Sequence, residues 1–350
     1  MLVPRVAVVL PVYNVALYLA ECLDAFSRQL YENFVVYAIN DGSTDDSVDV
    51  LSKYEKKYSW LKVYSQKNKG AASARNCALQ FIEEEHTFDY IVFSDSDDLV
   101  SPEYISDYVS YAQKYSADCV ICGYKSFTRN GDVIDWDINE YADEVMNSSA
   151  LVNLFFHLGK YKKPRPYSSN FLSNRMYRAE VIKGVRFKES LKTGEDLEYA
   201  ARLLSRLRVG VAFSKLNYQY RLRASSLSNS GCVKIEDLEL FSGMLSSRDY
   251  IKEAYVGIEK FFFDAWWRLV KQAARTDNKY YFLKCEEYFP LLKQISCAGV
   301  PYLRFKKRLC MFRLGMKFLS CYFYLLNRGG RNRKFARKTI THNVILICYC

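Results

Sequence analysis

From Arg5 to Tyr124 the chain alternates between short unbroken apolar runs and longer stretches whose apolar residues recur every three or four positions. Unbroken runs predict strands buried on both faces, and the three-to-four spacing predicts helices packed against them. The runs are Arg5 to Asn14, Phe34 to Asn40, Leu61 to Tyr64, Tyr90 to Phe93 and Asp118 to Tyr124. A first helix is expected through Val15, Leu19, Cys22, Phe26 and Leu30, and a second through Val48, Leu51 and Tyr54. A third covers 71–85 through Ala74, Ala78 and Phe81, and a fourth covers 102–115. Ser101-Pro102-Glu103 reads as the start of that fourth helix, with Ser101 as its cap and Pro102 at the first helical position. Strand and helix in this order predict an α/β layered domain with a mostly parallel sheet.

After Gly131 the rhythm changes. Asn130-Gly131 is a turn signal, so 129–150 reads as a hairpin or irregular loop. A helix is expected over 147–160 and another from Thr193-Gly194-Glu195-Asp196 to Leu204, with short strands at Val209–Phe213 and Asn217–Arg221. A second region begins near Val233, where Ile258, Phe262, Ala265 and Leu269 mark an amphipathic helix. The expected division is 1–230, a helical extension over 231–300, and a basic tail over 301–350.

One run ends unlike the others. Tyr90-Ile91-Val92-Phe93 leads through Ser94 into Asp95-Ser96-Asp97-Asp98. In open α/β sheets ligands bind beyond the carboxyl ends of the strands. Side chains two apart in extended backbone share a face, so Asp95 and Asp97 are expected on one side. Clustered carboxylates repel unless a cation or a shared proton relieves them. Hard divalent cations such as Mg²⁺ or Mn²⁺ take oxygen ligands, often one or two carboxylates completed by water and phosphate. An acidic turn before a helix is the plainer reading of the same residues.

Charge and cysteine content narrow the picture. The net charge is +11, but residues 301–350 hold 12 of the 50 Lys and Arg and none of the 39 acids. The first 300 residues are therefore close to neutral, which speaks against a nucleic-acid groove on the body of the protein. The 11 Cys are scattered, and no secretory signal is evident, since the apolar run at Val6 contains Pro11 and leads into a polar loop. Free thiols in a reducing cytosol follow. Cys119 and Cys122 resemble a redox or zinc pair but fall in an expected strand, facing opposite sides, with no second pair. His86, His157 and His342 lack metal-ligand spacing.

Five separated pieces then coincide. They are Leu10-Pro11-Val12-Tyr13-Asn14, Asn40-Asp41-Gly42-Ser43-Thr44-Asp45, Asn68-Lys69-Gly70 with Arg75-Asn76, Asp95-Ser96-Asp97-Asp98, and Gly194-Glu195-Asp196. Their order and spacing resemble the family 2 glycosyltransferases over roughly residues 5–230. The resemblance implies a GT-A fold and inverting transfer from a nucleotide-sugar, a UDP-sugar by analogy. Pro11, Tyr13 and Asn14 would line the nucleotide pocket, and Asp41 would accept from the base. Gly70, Arg75 and Asn76 would lie by the ribose and the pyrophosphate-sugar region. Asp95 would contact nucleotide or donor sugar, Asp97 would hold Mn²⁺ or Mg²⁺ with Asp95, and Asp98 would support the loop. Asp196 would be the general base. Arg221 or Arg223, with the serines after them, would close over the diphosphate or the acceptor. Asn40 stands where many members have Asp, but Asp41 remains for the base; Arg175 stands where many have Lys, which leaves the acceptor side open.

The chemistry agrees with these roles. A cation offsets the leaving diphosphate's charge, and a carboxylate on the other side removes the acceptor proton. Two carboxylates alone would also suit hydrolysis; the nucleotide-binding loops argue against it. A sugar nucleotidyltransferase would need a glycine-rich, basic loop after its first strand, and Pro11-Val-Tyr-Asn-Val-Ala16 has neither. As plainer readings, Glu195 and Asp196 are first-turn acids favoured by the helix dipole, Asp41 is a turn acid, and Arg75 is ion-paired.

The resemblance further points to bacterial cell-surface polysaccharide assembly on a saccharide or lipid-linked acceptor. Leu309 to Leu326 is apolar and aromatic but carries Arg313 and Lys317 on one helical face, which disfavours a span. With basic clusters on both sides it is expected to lie on an anionic membrane at the inner, cytoplasmic face. A buried core helix is the alternative.

Overall fold

Tyr37 and its neighbours in Phe34–Asp41 are all buried, as an unbroken apolar run requires of a strand covered on both faces. This strand, β2, pairs in parallel with β1 (Val6–Val12), from Val6↔Phe34 to Val12↔Asn40. On the outer side of β2 lies β3 (Leu61–Gln66), and on the other side of β1 lies β4 (Tyr90–Phe93), both parallel. The chain thus steps outward from β1 to β2 to β3, then returns across α3 (Ala71–Glu85) to the far side of β1. A reversal of strand order leaves a crevice beyond the carboxyl ends of the strands. The polar ends of β1, β2 and β4 converge there.

The computed structural model describes residues 3–128, 133–134, 142–162, 172–191, 193–223, 235–276, 279–294 and Phe312. The chain divides into two units, Met1–Ser230 and Gly231–Cys350. In the first, the sheet continues past β4 through β10 (Arg175–Arg178, followed by the single-turn helix α6, Ala179–Ile182), antiparallel to β4 and to β6 (Cys119–Ile121). It ends with β11 (Val209–Ala212), parallel to β6, and β9 (Glu144–Asn147), antiparallel to β11. Helices α1 (Ala16–Ser27) and α4 (Tyr104–Tyr115) cover one face through Leu19, Leu23, Phe26, Ile105 and Tyr108. The mainly parallel sheet between helices is the architecture the GT-A expectation calls for.

Three expectations are revised. The run from Asp118 to Tyr124 is two strands, because at Gly123 the backbone passes so close to Ser214 that a Cβ would lie 2.4 Å from its carbonyl oxygen. Beyond that crossing, β7 (Tyr124–Phe127) joins a second sheet with β5 (Leu99–Val100), β8 (Val133–Ile134) and β12 (Tyr218–Arg221). The Asn130-Gly131 turn lies outside the described residues, but β7 and β8 on either side pair antiparallel. Ser101 is no cap: α4 starts at Tyr104 without a side-chain cap, and the Ser101 hydroxyl is buried without a partner. The helix expected over 147–160 is α5 (Ser148–Phe155), capped by Asn147, whose side chain accepts from Ala150 N–H. Cys119 and Cys122 are free and buried, and burial pushes both thiols up to about 12.

In the second unit α8 (Ile235–Ser246) and the 25-residue α9 (Lys252–Thr276) precede α10 (Lys279–Glu287) and α11 (Phe289–Gln294). Trp266 of α9 is fully buried. Phe312 packs against it at 4.9 Å and against Phe282 and Phe289 at 4.9 and 5.2 Å. The rest of 301–350 lies outside the described residues, and with it the expected amphipathic segment. Among the described residues no helix is long and apolar enough to cross a membrane.

Candidate active site

The turn after β4 is built by its own backbone. Ser94 N–H donates to Val9 O, extending the β1 pairing by one residue, and Asp98 N–H then donates to Asp95 O at 3.2 Å. Asp95 to Asp98 is therefore a closed turn and not extended chain. The expectation that Asp95 and Asp97 share a strand face fails for that reason, and each acid meets its own cation. Asp95 Oδ1 accepts from Arg75 Nη2 at 3.1 Å, and Asp97 Oδ2 pairs with Arg223 Nη2 at 2.7 Å. Asp95 is the more open of the two, with 38% of its side chain exposed against 13% for Asp97. Burial and the Asp95 charge raise the Asp97 pKa, and Arg223 opposes the rise.

These residues suit a divalent cation. The two ion pairs engage one oxygen of each acid, and the mutual repulsion that raises Asp97 is what a cation relieves. Among the described residues no three His, Cys, Asp or Glu side chains gather at one point. A cation held here would have two carboxylates and draw its remaining ligands from water and phosphate oxygens, as Mg²⁺-type sites do.

Asp98 is elsewhere engaged. It is 1% exposed; Oδ2 accepts from the Tyr218 hydroxyl and Oδ1 from Arg221 N–H. Burial, then the charges of Asp97 and Asp95, push its carboxyl well above the usual range. Arg221 is also buried. Its Nε donates to Asp97 O at 2.7 Å, its Nη2 pairs with Glu21, and its guanidinium lies over Tyr18 and Phe127. Of the two arginines, Arg223 has the more accessible side chain, 27% against 4%.

On the opposite wall, α7 (Glu195–Leu203) begins after Gly194, which has φ +73°. Glu195 Oε1 accepts from Arg75 Nη1 at 2.9 Å. Arg75, on the first turns of α3 and 10% exposed, thus spans from Asp95 to Glu195. Asp196 follows directly, half-buried, with Oδ1 accepting from Leu197 N–H. Burial first, and the Glu195 charge second, raise its pKa to about 6, against the pull of Arg75.

The residues at the ends of β1 and β2 form a lattice of hydrogen bonds. Asn14, at φ +49°, accepts from Thr44 N–H on its side chain and donates its own N–H to the Ser43 hydroxyl, tying the β1 loop to the β2 loop. Asp45 accepts from Ala16 N–H and Ser47 N–H, so it serves the starts of both α1 and α2 (Ser47–Lys57). Asp41 is 2% exposed and accepts from Gln66 Nε2, Lys69 N–H and Gly70 N–H. Gly70, at φ +93°, opens α3. Asn76 clasps the 187–189 segment, donating to Phe187 O and accepting from Phe187 N–H. Pro11 is partly buried, and Tyr13 is the exposed aromatic of this wall, 47% open. All twelve residues given a site role from the sequence thus fall on this crevice or in its supports. The sequence reading missed Tyr218, Gln66 and Glu21, which carry no motif; the first two reach the site through the pairing of β12 and β3, and Glu21 reaches Arg221 from α1.

The sequence model of glycosyl transferase family 2 matches residues 7–186. The chain belongs to this family. Among curated proteins, this family 2 chain is 29% identical over 228 residues to glycosyltransferase GlyA of Streptococcus pneumoniae, covering 64% of the chain and 31% of GlyA. It is 26% identical over 241 residues to the poly(ribitol-phosphate) beta-N-acetylglucosaminyltransferase TarS of Staphylococcus aureus, covering 67% of the chain and 38% of TarS. The chain therefore spans about a third of the length of these two relatives. The crystal structure of S. aureus TarS 1–349 in complex with UDP-GlcNAc matches with a TM-score of 0.64 at 17% identity, over 97% of this chain and 92% of that one.

Proposed function

We propose that this chain is an inverting glycosyltransferase that moves a sugar from a UDP-sugar to a hydroxyl of a saccharide or lipid-linked saccharide in bacterial cell-surface polysaccharide synthesis. The observation that carries the reading is Asp196, a half-buried carboxylate with its pKa raised to about 6, one residue from the Glu195 that Arg75 ties to Asp95. A base poised near neutral pH on one wall and paired acids on the other suit direct displacement at a sugar carbon. The family, and a fold relative crystallised with UDP-GlcNAc, support the donor class.

In this reading Asp196 takes the acceptor proton as the new glycosidic bond forms, and the configuration at that carbon inverts. Asp97 and Asp95 would hold Mn²⁺ or Mg²⁺, which when bound offsets the charge of the leaving diphosphate. Arg75 orients Asp95 and keeps the α7 start facing the donor. Arg223 supplies positive charge on the diphosphate side, while Arg221 holds the turn from behind. Tyr13 offers the base an aromatic face. Asp41 shapes the base pocket through the Gln66–Gly70 loop that it binds.

The test is thermal stabilisation by UDP-GlcNAc, UDP-glucose, UDP-galactose and GDP-mannose, with and without Mn²⁺. A bound donor at about 100 times its dissociation constant adds roughly 2.7 kcal/mol. Stabilisation by a UDP-sugar that requires the cation supports the reading. No response to any nucleotide-sugar sinks it.

A further inference from the structure

We infer that Tyr218 is a positioning residue for the two cation-binding carboxylates, acting through Asp98; the inference rests on the metal-assisted reading above. Tyr218 opens β12 and is fully buried, its ring tilted against Tyr104 at 6.1 Å. Strand pairing sets Tyr218 opposite Val100 and Gln219 opposite Leu99, just past the acidic turn. The hydroxyl therefore arrives beneath the turn and touches it twice. It accepts from Asp95 N–H at 3.5 Å and donates to Asp98 Oδ2 at 2.5 Å. From the same strand, Arg221 N–H donates to Asp98 Oδ1 at 2.7 Å.

Asp98 itself is closed to a ligand, so its part is to be held. Two donors from β12, one on each oxygen, fix the plane of its carboxylate. The Asp98 N–H to Asp95 O bond then passes that constraint to the turn. A buried carboxyl that loses a hydrogen-bond partner is left unsatisfied, which is costly. Without the hydroxyl one Asp98 oxygen and the Asp95 N–H lose their partner, the turn relaxes, and Asp95 and Asp97 lose their relative placement. Groups that orient metal ligands from behind typically govern about 10- to 100-fold in metal affinity.

The neighbouring Tyr104 provides the control. It is equally buried, and its hydroxyl donates to Ser173 O at 2.7 Å, away from the turn. The experiment titrates Mn²⁺ into the full chain by electron paramagnetic resonance, with and without UDP, for wild type, Tyr218→Phe, Asp98→Asn and Tyr104→Phe. The expected result is affinity lower by about 10- to 100-fold for Tyr218→Phe and Asp98→Asn, with Tyr104→Phe unchanged. Should Tyr218→Phe fail to fold, Asp98→Asn, which keeps the Arg221 N–H bond, decides by the same criterion. Full Mn²⁺ affinity in Tyr218→Phe, or an equal loss in Tyr104→Phe, overturns the inference and leaves the metal reading standing. Wild-type protein that binds no Mn²⁺ overturns both.

Discussion

Arg75 Nη1 lies 2.9 Å from Glu195 Oε1, joining the third and fifth sequence pieces across 120 residues of chain. The same guanidinium holds Asp95, so one cation ties the turn after β4 to the start of the helix that carries Asp196. Glu195 also acts on Asp196 by its charge, which raises the neighbouring carboxyl. Glu195→Gln should therefore move the acid limb of the transfer rate from near pH 6 to lower pH. Donor saturation should weaken at the same time, since Arg75 loses one of its two anchors. A pH–rate profile that shifts upward, or stays fixed, would remove Glu195 from this role.

Asp196→Asn separates base strength from shape. Transfer should fall by about 10² or more, with UDP-sugar affinity little changed. Stability should move the other way. The native state holds the Asp196 proton more tightly than the unfolded chain, so between about pH 4 and pH 6 folding takes up a proton. Stability from this group therefore falls as pH rises through that window, and above it the charged side chain is a burden. A shift of two pH units corresponds to up to ~2.7 kcal/mol. Asp196→Asn should thus melt higher than wild type at pH 8, with the difference closing toward pH 4. A variant less stable at pH 8 would contradict the raised pKa.

Asp97→Ala removes the acid that Arg223 neutralises. Mn²⁺-dependent UDP binding should disappear, and transfer with it, while the melting temperature stays close to wild type because Asp98 still holds the turn. Calorimetric titration of UDP with and without Mn²⁺ reads this directly. Cation-dependent binding that survives in Asp97→Ala would assign the cation to other residues.

The sheet was legible because buried parallel strands need unbroken apolar runs, and Phe34–Asp41 and Tyr90–Phe93 are such runs. The site was legible for a related reason: strand ends in this fold carry their chemistry in short contiguous pieces, so Asp41, Asp95 and Glu195-Asp196 could be found one loop at a time. What stayed hidden depends on contacts between distant segments. Nothing in Tyr218-Gln-Tyr-Arg221 says that its first hydroxyl meets Asp98, because that contact follows from the β5–β12 register. The pairing of Asp97 with Arg223 depends on the same strand end. Of the two readings of Asp95–Asp98, extended chain past Phe93 fails and the plainer acidic turn holds, since three acids in four residues favour a turn that parts them. Ser101 likewise has the composition of a cap, yet the chain enters α4 two residues later than that pattern predicts.

The tail poses the last test. If 309–326 lay on a membrane as one amphipathic helix, its aromatic residues would face lipid. Phe312 instead is 5% exposed, enclosed by Trp266, Phe282 and Phe289. Removing such a buried ring costs about 3–5 kcal/mol, so Phe312→Ala should loosen the second unit, read as a lower melting temperature or faster proteolysis of 231–350. Deleting everything after Val300 would therefore confuse lost packing with lost membrane contact. The cleaner variant replaces Arg328, Arg331, Arg333, Lys334, Arg337 and Lys338 by Gln and leaves Phe312 in place. Each basic residue near an anionic leaflet contributes about 1 kcal/mol, screened by salt. The full chain should sediment with phosphatidylglycerol vesicles at low salt, and the Gln variant should stay in solution at an unchanged melting temperature. Wild-type protein that ignores these vesicles would remove the membrane from the proposal. A Gln variant that still binds them would move the contact to another surface.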